Sequence, residues 1–444
     1  MTTAKMNRIE RLGLQPVPTE LKNTRWFEYF IIQLSFSVNA GNFIVPALAV
    51  LDGNLPWEWA IVSTLLGAAA AFLFVSILSI PGSRYGLPAQ YAIRSLLGTK
   101  LARYFASPVR SITSLYWFSV QTIGGTMVIV DLSEEFFHIH LLSLPISIIL
   151  AILMTILALV GFDAVKKFTK WCMPLLILGQ IVMGYLFIHE LNSHFITNAS
   201  NGNFTFGSFF LFASLAFVQY VSGVSASSDI TRYAENVRQG FWGLFSGNVV
   251  GFFITALFGS LSAHLTNNLN PFVSSSHLAN SAWMTFILTL CAMISMVSIN
   301  LSNAYTGGFS LLNAIPRVGR INSSLLFGAA AILLSCFPAI IENAKDYISL
   351  LGAFIIPISA IIVAEFMFLK RLKLSVQDLE RIADHSFSYN STALLIIIVN
   401  SILYFLIPGS LSPGFIVFAA AFMMYLFASA VTKKSVVRAS INKS

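Results

Sequence analysis

Charge is what this sequence most lacks. Only 10% of its 444 residues are Asp, Glu, Lys or Arg, while 56% are hydrophobic. A soluble domain carries about 25% charged residues. So apolar a chain cannot hide its side chains from water, which excludes an ordinary soluble globule and makes a bilayer its solvent. Cysteine is scarce as well. Cys172, Cys291 and Cys336 form no CxxC pair, so disulfide and zinc frameworks are excluded and the three read as small core fillers. Histidine is missing from the centres of the apolar runs. His138, His140, His189, His194, His264 and His277 border polar stretches, and His385 lies in another. That argues against an intramembrane proton relay or metal site. No GxxxxGK[ST] string is present, so nothing points to ATP-driven pumping. No cleavage site follows the first apolar run, and no signal peptide is expected.

What is present is a series of long apolar runs. A spanning helix needs about 20 mostly apolar residues. Twelve candidates fit: 26–50, 58–80, 107–131, 142–161, 168–188, 207–227, 240–264, 282–306, 323–341, 347–369, 392–408 and 412–431. Their connecting segments test the count. With the N-terminus in the cytoplasm, Lys345 alone among the 26 Lys and Arg falls on the far side. Missing one span would scramble that bias, so it supports both the count and an orientation with both termini cytoplasmic. The net charge of +8 is then a topology signal, and no nucleic-acid partner is expected. The expectation is an all-α polytopic protein of twelve transmembrane helices, whose partners are the lipid bilayer and a small molecule.

Two of the runs are interrupted. "SVNAGN" (37–42) places Asn39, Gly41 and Asn42 inside the first, and "SGVSASS" (222–228) does the same in the sixth. Asn and Gly are poor helix formers, and backbone groups at membrane depth cannot stay unpaired. Either the first break is a packing notch or the helix unwinds to line a cavity. Paired interruptions five helices apart favour the second reading, because they mark inverted-repeat transporters whose site lies at the breaks. The segments become 1–25 (cytoplasmic), a first repeat over 26–188, a second over 207–369, two further helices over 392–431, and a tail over 432–444. Polar residues elsewhere agree. Trp117 and Gln121 share one face of the third helix, and Ser295, Ser298, Asn300, Ser302 and Asn303 crowd the eighth. Such groups face the bundle interior as a site or as interhelical glue. Gly243, Gly247 and Gly251 of the seventh helix recur every four residues, a close-packing face.

Several strings look familiar. "SRYGLPAQYAIRSLLG" (83–98), "WF" at Trp117 and Phe118, "SDITRYA" (228–234) and "NAYTGGFSLLNAI" (303–315) resemble those of the nucleobase–cation symporter-one family, over roughly residues 16–320. The resemblance implies a leucine-transporter-type fold, a five-plus-five inverted repeat with two added helices. It implies uptake of a flat heterocycle (cytosine, uracil, purine, hydantoin or allantoin type) with a coupling cation, and no enzymatic activity. By the same resemblance, Trp117 and Tyr220 sandwich the ring, Gln121 and Asn300 pair with its edge, and Ser222 is a contact. Val38 stands where a polar or aromatic group often contributes, so Asn39 either substitutes or caps the break. Sodium-coupled members would place the ion among backbone carbonyls near Leu34 and Ser37, the Cys291 carbonyl and the Ser295 hydroxyl. A second hydroxyl is replaced by Ile294, so Ser298 or water must compensate, and proton coupling stays open. Asp229 and Glu365 are expected to pair with nearby Arg or Lys, Asp229 also being a candidate inner-gate group.

The physics of the residue types agrees. Two aromatic faces bury a planar base well, and amides match lactam and amidine edges. The other readings are an amino-acid or amine carrier of the same fold and a membrane-embedded enzyme. The enzyme would need clustered His, Asp or Cys at depth, which the sequence does not offer. A monomer in a bacterial inner membrane is expected; the sequons at Asn198 and Asn203 matter only in a eukaryotic secretory route.

Overall fold

The structure, a computed structural model, describes residues 12–159, 162–194 and 202–441. Lys5, Arg8, Arg11, Lys443 and the sequon at Asn198 lie outside these. The described chain is all helix, joined by short turns, with one isolated bridge between Thr24 and Ala234. Eight helices are long and apolar enough to cross a membrane, and the bent pair Trp26–Ser37 and Ala40–Leu51 makes a ninth. The runs at 142–161, 323–341 and 392–408 fold as the shorter apolar helices Ser143–Leu157, Arg320–Leu334 and Ser391–Leu406. Large apolar side chains such as Leu153, Ile181, Trp171 and Phe427 cover the outer faces, as lipid requires.

Helices below keep the ordinal of the run that forms them. The first packs along the seventh, and the second along the sixth and seventh; the third packs along the eighth, which in turn rests on the fifth. Two bodies result, with a cavity between them. Glycine makes the closest seams possible. A Cβ on Gly247 would lie 2.7 Å from the Phe30 carbonyl oxygen, and one on Gly251 would lie 2.4 Å from Ser37 Oγ. The tightest seam joins the second helix to the sixth, where a Cβ on Gly67 would sit 1.8 Å from the Ala213 carbonyl oxygen. Main chain cannot yield there, so Gly67→Leu should cost at least the ~1–3 kcal/mol of an overpacked core. The check is the unfolding temperature in detergent, against Gly207→Ala, where a Cβ meets nothing within 4 Å. Equal temperatures for the two variants would refute the seam.

Both interruptions are real breaks. The two halves of the first helix meet at 59°. The sixth runs as Phe206–Val221, a 3-10 turn Ser222–Ser225 and a short helix Ser227–Thr231. At the basic end, the segment before the first helix straps over the sixth. Thr24 N–H donates to the Tyr233 carbonyl (3.1 Å) and Glu235 N–H to the Thr24 carbonyl (3.0 Å). The buried Arg232 donates to the carbonyls of Gly13 (3.2 Å) and Gln15 (3.0 Å). At the other end Lys345, the one misplaced base, meets Asp52 at 3.2 Å.

Candidate functional site

Asn39 explains the first break. Its backbone is extended (φ −151°, ψ 163°), and its side-chain oxygen accepts the Asn42 N–H at 3.0 Å, capping the second half-helix. The carbonyls left over by the first half need donors, because none is available from lipid. Asn39 Nδ2 donates to the Phe36 carbonyl. Asn42 Nδ2 donates to the Ser37 carbonyl (2.8 Å), as does Thr255 Oγ1 of the seventh helix (2.7 Å). The polar residues of "SVNAGN" therefore serve the backbone first. Gly41 is required by approach: a Cβ would fall 2.4 Å from Gln121 Nε2.

Between the two bodies lies a cavity of about 150 Å³, room for one small ring or about ten waters. Trp117 and Tyr220 line it from the third and sixth helices. The two rings do not touch each other. Tyr116 packs edge-on against Trp117 (4.9 Å between centroids, 73°), and Phe72 and Phe252 pack against Tyr220 (4.7 and 5.0 Å). Each ring is thus held by aromatic neighbours, and both border the cavity.

The amides divide into those that face this space and those that hold others in place. Gln121 lines it and is locked: its Oε1 accepts Gly41 N–H (3.2 Å) and its Nε2 donates to Asn39 Oδ1. Asn39 is fully buried behind Gln121 and acts through it. Asn300 also lies off the cavity. Its Nδ2 donates to the Phe118 carbonyl (3.0 Å) and Thr122 Oγ1 (3.2 Å), a joint with the third helix. The cavity-lining asparagine of the eighth helix is Asn303, whose Nδ2 donates to Asn300 Oδ1 at 3.1 Å. Four further amides join the lining: Gln33, Asn248, Asn42, whose Oδ1 accepts Gln219 Nε2 at 3.2 Å, and Gln219 itself, whose buried Oε1 has no partner. Ser222 and Arg110 complete the floor. Val38 is buried in the apolar cluster around the first and eighth helices. These placements separate the roles of the two asparagines. Asn303→Ala should weaken substrate binding by a hydrogen bond's worth, about 1–3 kcal/mol, and lower the unfolding temperature less than Asn300→Ala does, because it frees only Asn300 Oδ1. Binding titrations and melting curves on both variants would expose the reverse pattern.

The residues expected around sodium have these partners. The Ser37 carbonyl already accepts the two short hydrogen bonds given above. Cys291 lies against the fifth helix, its Sγ 3.6 Å from the Leu176 carbonyl, and Ser295 Oγ donates to Ala292 of its own helix at 2.8 Å. Ser298, one turn further along that face, has a buried hydroxyl with no partner, an oxygen suited to a hard cation. Leu34 is buried where the first helix meets the seventh. Asp229 lies among Arg232, Arg110 and Arg320 but forms no direct ion pair among the described residues: its Oδ1 accepts Ala89 N–H at 2.7 Å and its Oδ2 has no hydrogen-bond partner. Glu365 accepts Tyr425 Oη at 2.7 Å.

Residues 16–431 match the family described as permeases for cytosine/purines, uracil, thiamine and allantoin. An allantoin permease of Bacillus subtilis is 22% identical over 416 residues, covering 84% of this chain and 81% of its own. Among solved structures, Mhp1, a nucleobase-cation-symport-1 family transporter in a closed conformation with bromovinylhydantoin bound, superposes with a TM-score of 0.79 at 16% identity. The match covers 97% of both chains. A Na⁺-coupled sialic acid symporter follows at 0.64 and 13% identity, over 92% of this chain and 91% of that one.

Proposed function

Since the chain belongs to the family of permeases for cytosine, purines, uracil, thiamine and allantoin, we propose that it imports one planar nucleobase-like heterocycle together with a cation, by alternating access. What supports this reading is that two rings, Trp117 and Tyr220, from the third and sixth helices line one cavity together with several amides. A flat ring between them gains stacking worth about 0.5–1.5 kcal/mol beyond its buried area. Gln121 and Asn303 then read its edge. Their fixed positions give selectivity, because a mismatched edge leaves a buried amide unpaired. Gln219 Oε1 is an open acceptor for a ring N–H.

Sodium is the coupling ion this reading favours, in line with the Na⁺-coupled symporter that shares the fold. The hydroxyls of Ser295 and Ser298 would hold it, with main-chain carbonyls of the first helix near Leu34. The two bodies would rock about the cavity, the repeats 26–188 and 207–369 exchanging inner and outer roles. The protein would sit as a monomer in a bacterial inner membrane, both termini in the cytoplasm.

The test is uptake of labelled uracil, cytosine, hypoxanthine, hydantoin and allantoin into cells expressing the chain. Each is run in sodium, in choline, and with a protonophore. Saturable uptake of one ring supports the reading. Dependence on sodium assigns the ion, whereas collapse by the protonophore alone transfers the coupling to protons. No uptake of any ring from well-expressed protein overturns it.

A further inference from the structure

The cavity holds one feature that a neutral ring leaves unexplained. Arg110 of the third helix lines it and is the only charged residue to do so among the described residues. Its side chain is more than nine-tenths buried. Its contacts are few and long: Nη1 to the Ser222 carbonyl (3.2 Å) and Ser222 Oγ (3.4 Å), and Nη2 to Thr306 Oγ1 (3.4 Å). Its Nε has no partner. All of these acceptors are neutral, and no carboxylate among the described residues forms a direct ion pair with it; Asp229 acts on it only from beyond hydrogen-bonding reach. Asp229, the buried acid of the sixth helix, is bonded instead to the Ala89 main chain.

Neighbouring buried arginines are otherwise employed. Arg94 donates from Nε to Asn313 Oδ1 (2.9 Å) and lies over the Tyr91 ring, and Arg232 holds the strap and lies over Phe309. Of the backbone, Arg110 serves only the Ser222 carbonyl at the sixth-helix break by a long bond, and its Nε is left over. An unpaired charge at membrane depth is costly, and its usual explanation is a functional partner. A guanidinium presents a planar fork that a carboxylate fills with two parallel hydrogen bonds. The Arg110 fork opens on the same cavity as the Trp117 face, seven residues or two turns along one helix side.

We propose that the substrate is an acidic heterocycle: a flat ring held between Trp117 and Tyr220 that carries a carboxylate seated on Arg110. This rests on the ring-binding reading above and narrows it to a substrate class.

The test uses matched pairs on the purified protein in detergent: uracil against orotate (its 6-carboxylate) and hydantoin against hydantoin-5-acetate. Propionate serves as the ringless acid. Affinity is read by titration of intrinsic Trp fluorescence and by the shift in unfolding temperature. In the wild type at least one acid should bind about tenfold tighter, or more, than its neutral partner, the difference a charge-assisted hydrogen bond supplies. Arg110→Gln should lower that acid-to-neutral ratio at least about tenfold, and Arg110→Lys should retain part of it. The wild-type comparison stands even if the Gln variant fails to fold. Neutral rings binding as tightly as the acids, or more so, would overturn the acidic substrate and leave the ring reading intact. Propionate binding as well as the ring acids would overturn the ring and keep the Arg110 seat. No binding of any probe to folded protein would overturn both.

Discussion

Trp117→Ala should lose substrate binding almost completely while the protein remains folded. The indole is half-buried and forms one wall of the cavity. Truncating it removes the stacking face and leaves a hole the backbone cannot close, a loss of about 2–4 kcal/mol or roughly 30- to 1000-fold in Kd. Trp117→Phe keeps a flat face and should fall less than about tenfold. The two variants form the test. If Ala binds like Phe, the ring does not lie on this face. Stability should fall as well, because the indole also packs against the apolar core and Tyr116, so binding is compared on folded protein.

Asn39→Ala should cost more stability than any other single change at the breaks. One amide caps a helix, satisfies the Phe36 carbonyl and accepts from Gln121. Removing it leaves Gln121 Nε2 without its acceptor, while the Asn42 N–H keeps the Asn39 carbonyl and the Phe36 carbonyl keeps Asn42 Nδ2. The cap is worth about 1 kcal/mol and the stranded donor adds about 1–3, a total of about 2–4 kcal/mol. Asn39→Asp separates the parts. It keeps the cap acceptor and loses the donor to Phe36, and its charge faces that carbonyl, so it should be nearly as damaging. Unfolding temperature and uptake should fall together in both. A stable Asn39→Ala protein would mean that water replaces the amide.

The breaks were legible because Asn, Gly and Ser inside apolar runs have no cheap alternative explanation. The glycine seam of the seventh helix was legible because a four-residue repeat of the smallest residue defines a face. Which asparagine of the eighth helix faces the cavity was not. Asn300 and Asn303 are neighbours on one helical face, and the rotation of that face depends on the third helix packed against it. Gln219 was missed for a related reason. It precedes Tyr220 at the point where the sixth helix tightens into a 3-10 turn, and the change of period erases the phase that sequence spacing supplies. Arg110 was misread by its own strongest signal. Counted with the basic loop residues by the charge bias, it lies instead in the helix Ser107–Phe137 with its head group under the site. Charge bias locates the end of a helix and does not tell which way a side chain turns.

The pairing of the first helix with the seventh bears on how the chain is made. Thr255 caps the Ser37 carbonyl across 218 positions, and Tyr29 Oη reaches the Ile230 carbonyl across 201. A ribosome inserting helices in order releases the first five into lipid long before these partners exist. During that interval the Asn39 break has its own amides as donors, and Gln121 of the third helix is at hand. The first-helix break is thus nearly self-sufficient in hydrogen bonds, apart from one threonine. Its glycine-fitted flank stays open to lipid until the seventh helix arrives, and synthesis of residues 206–266 becomes the step that commits the molecule to one shape.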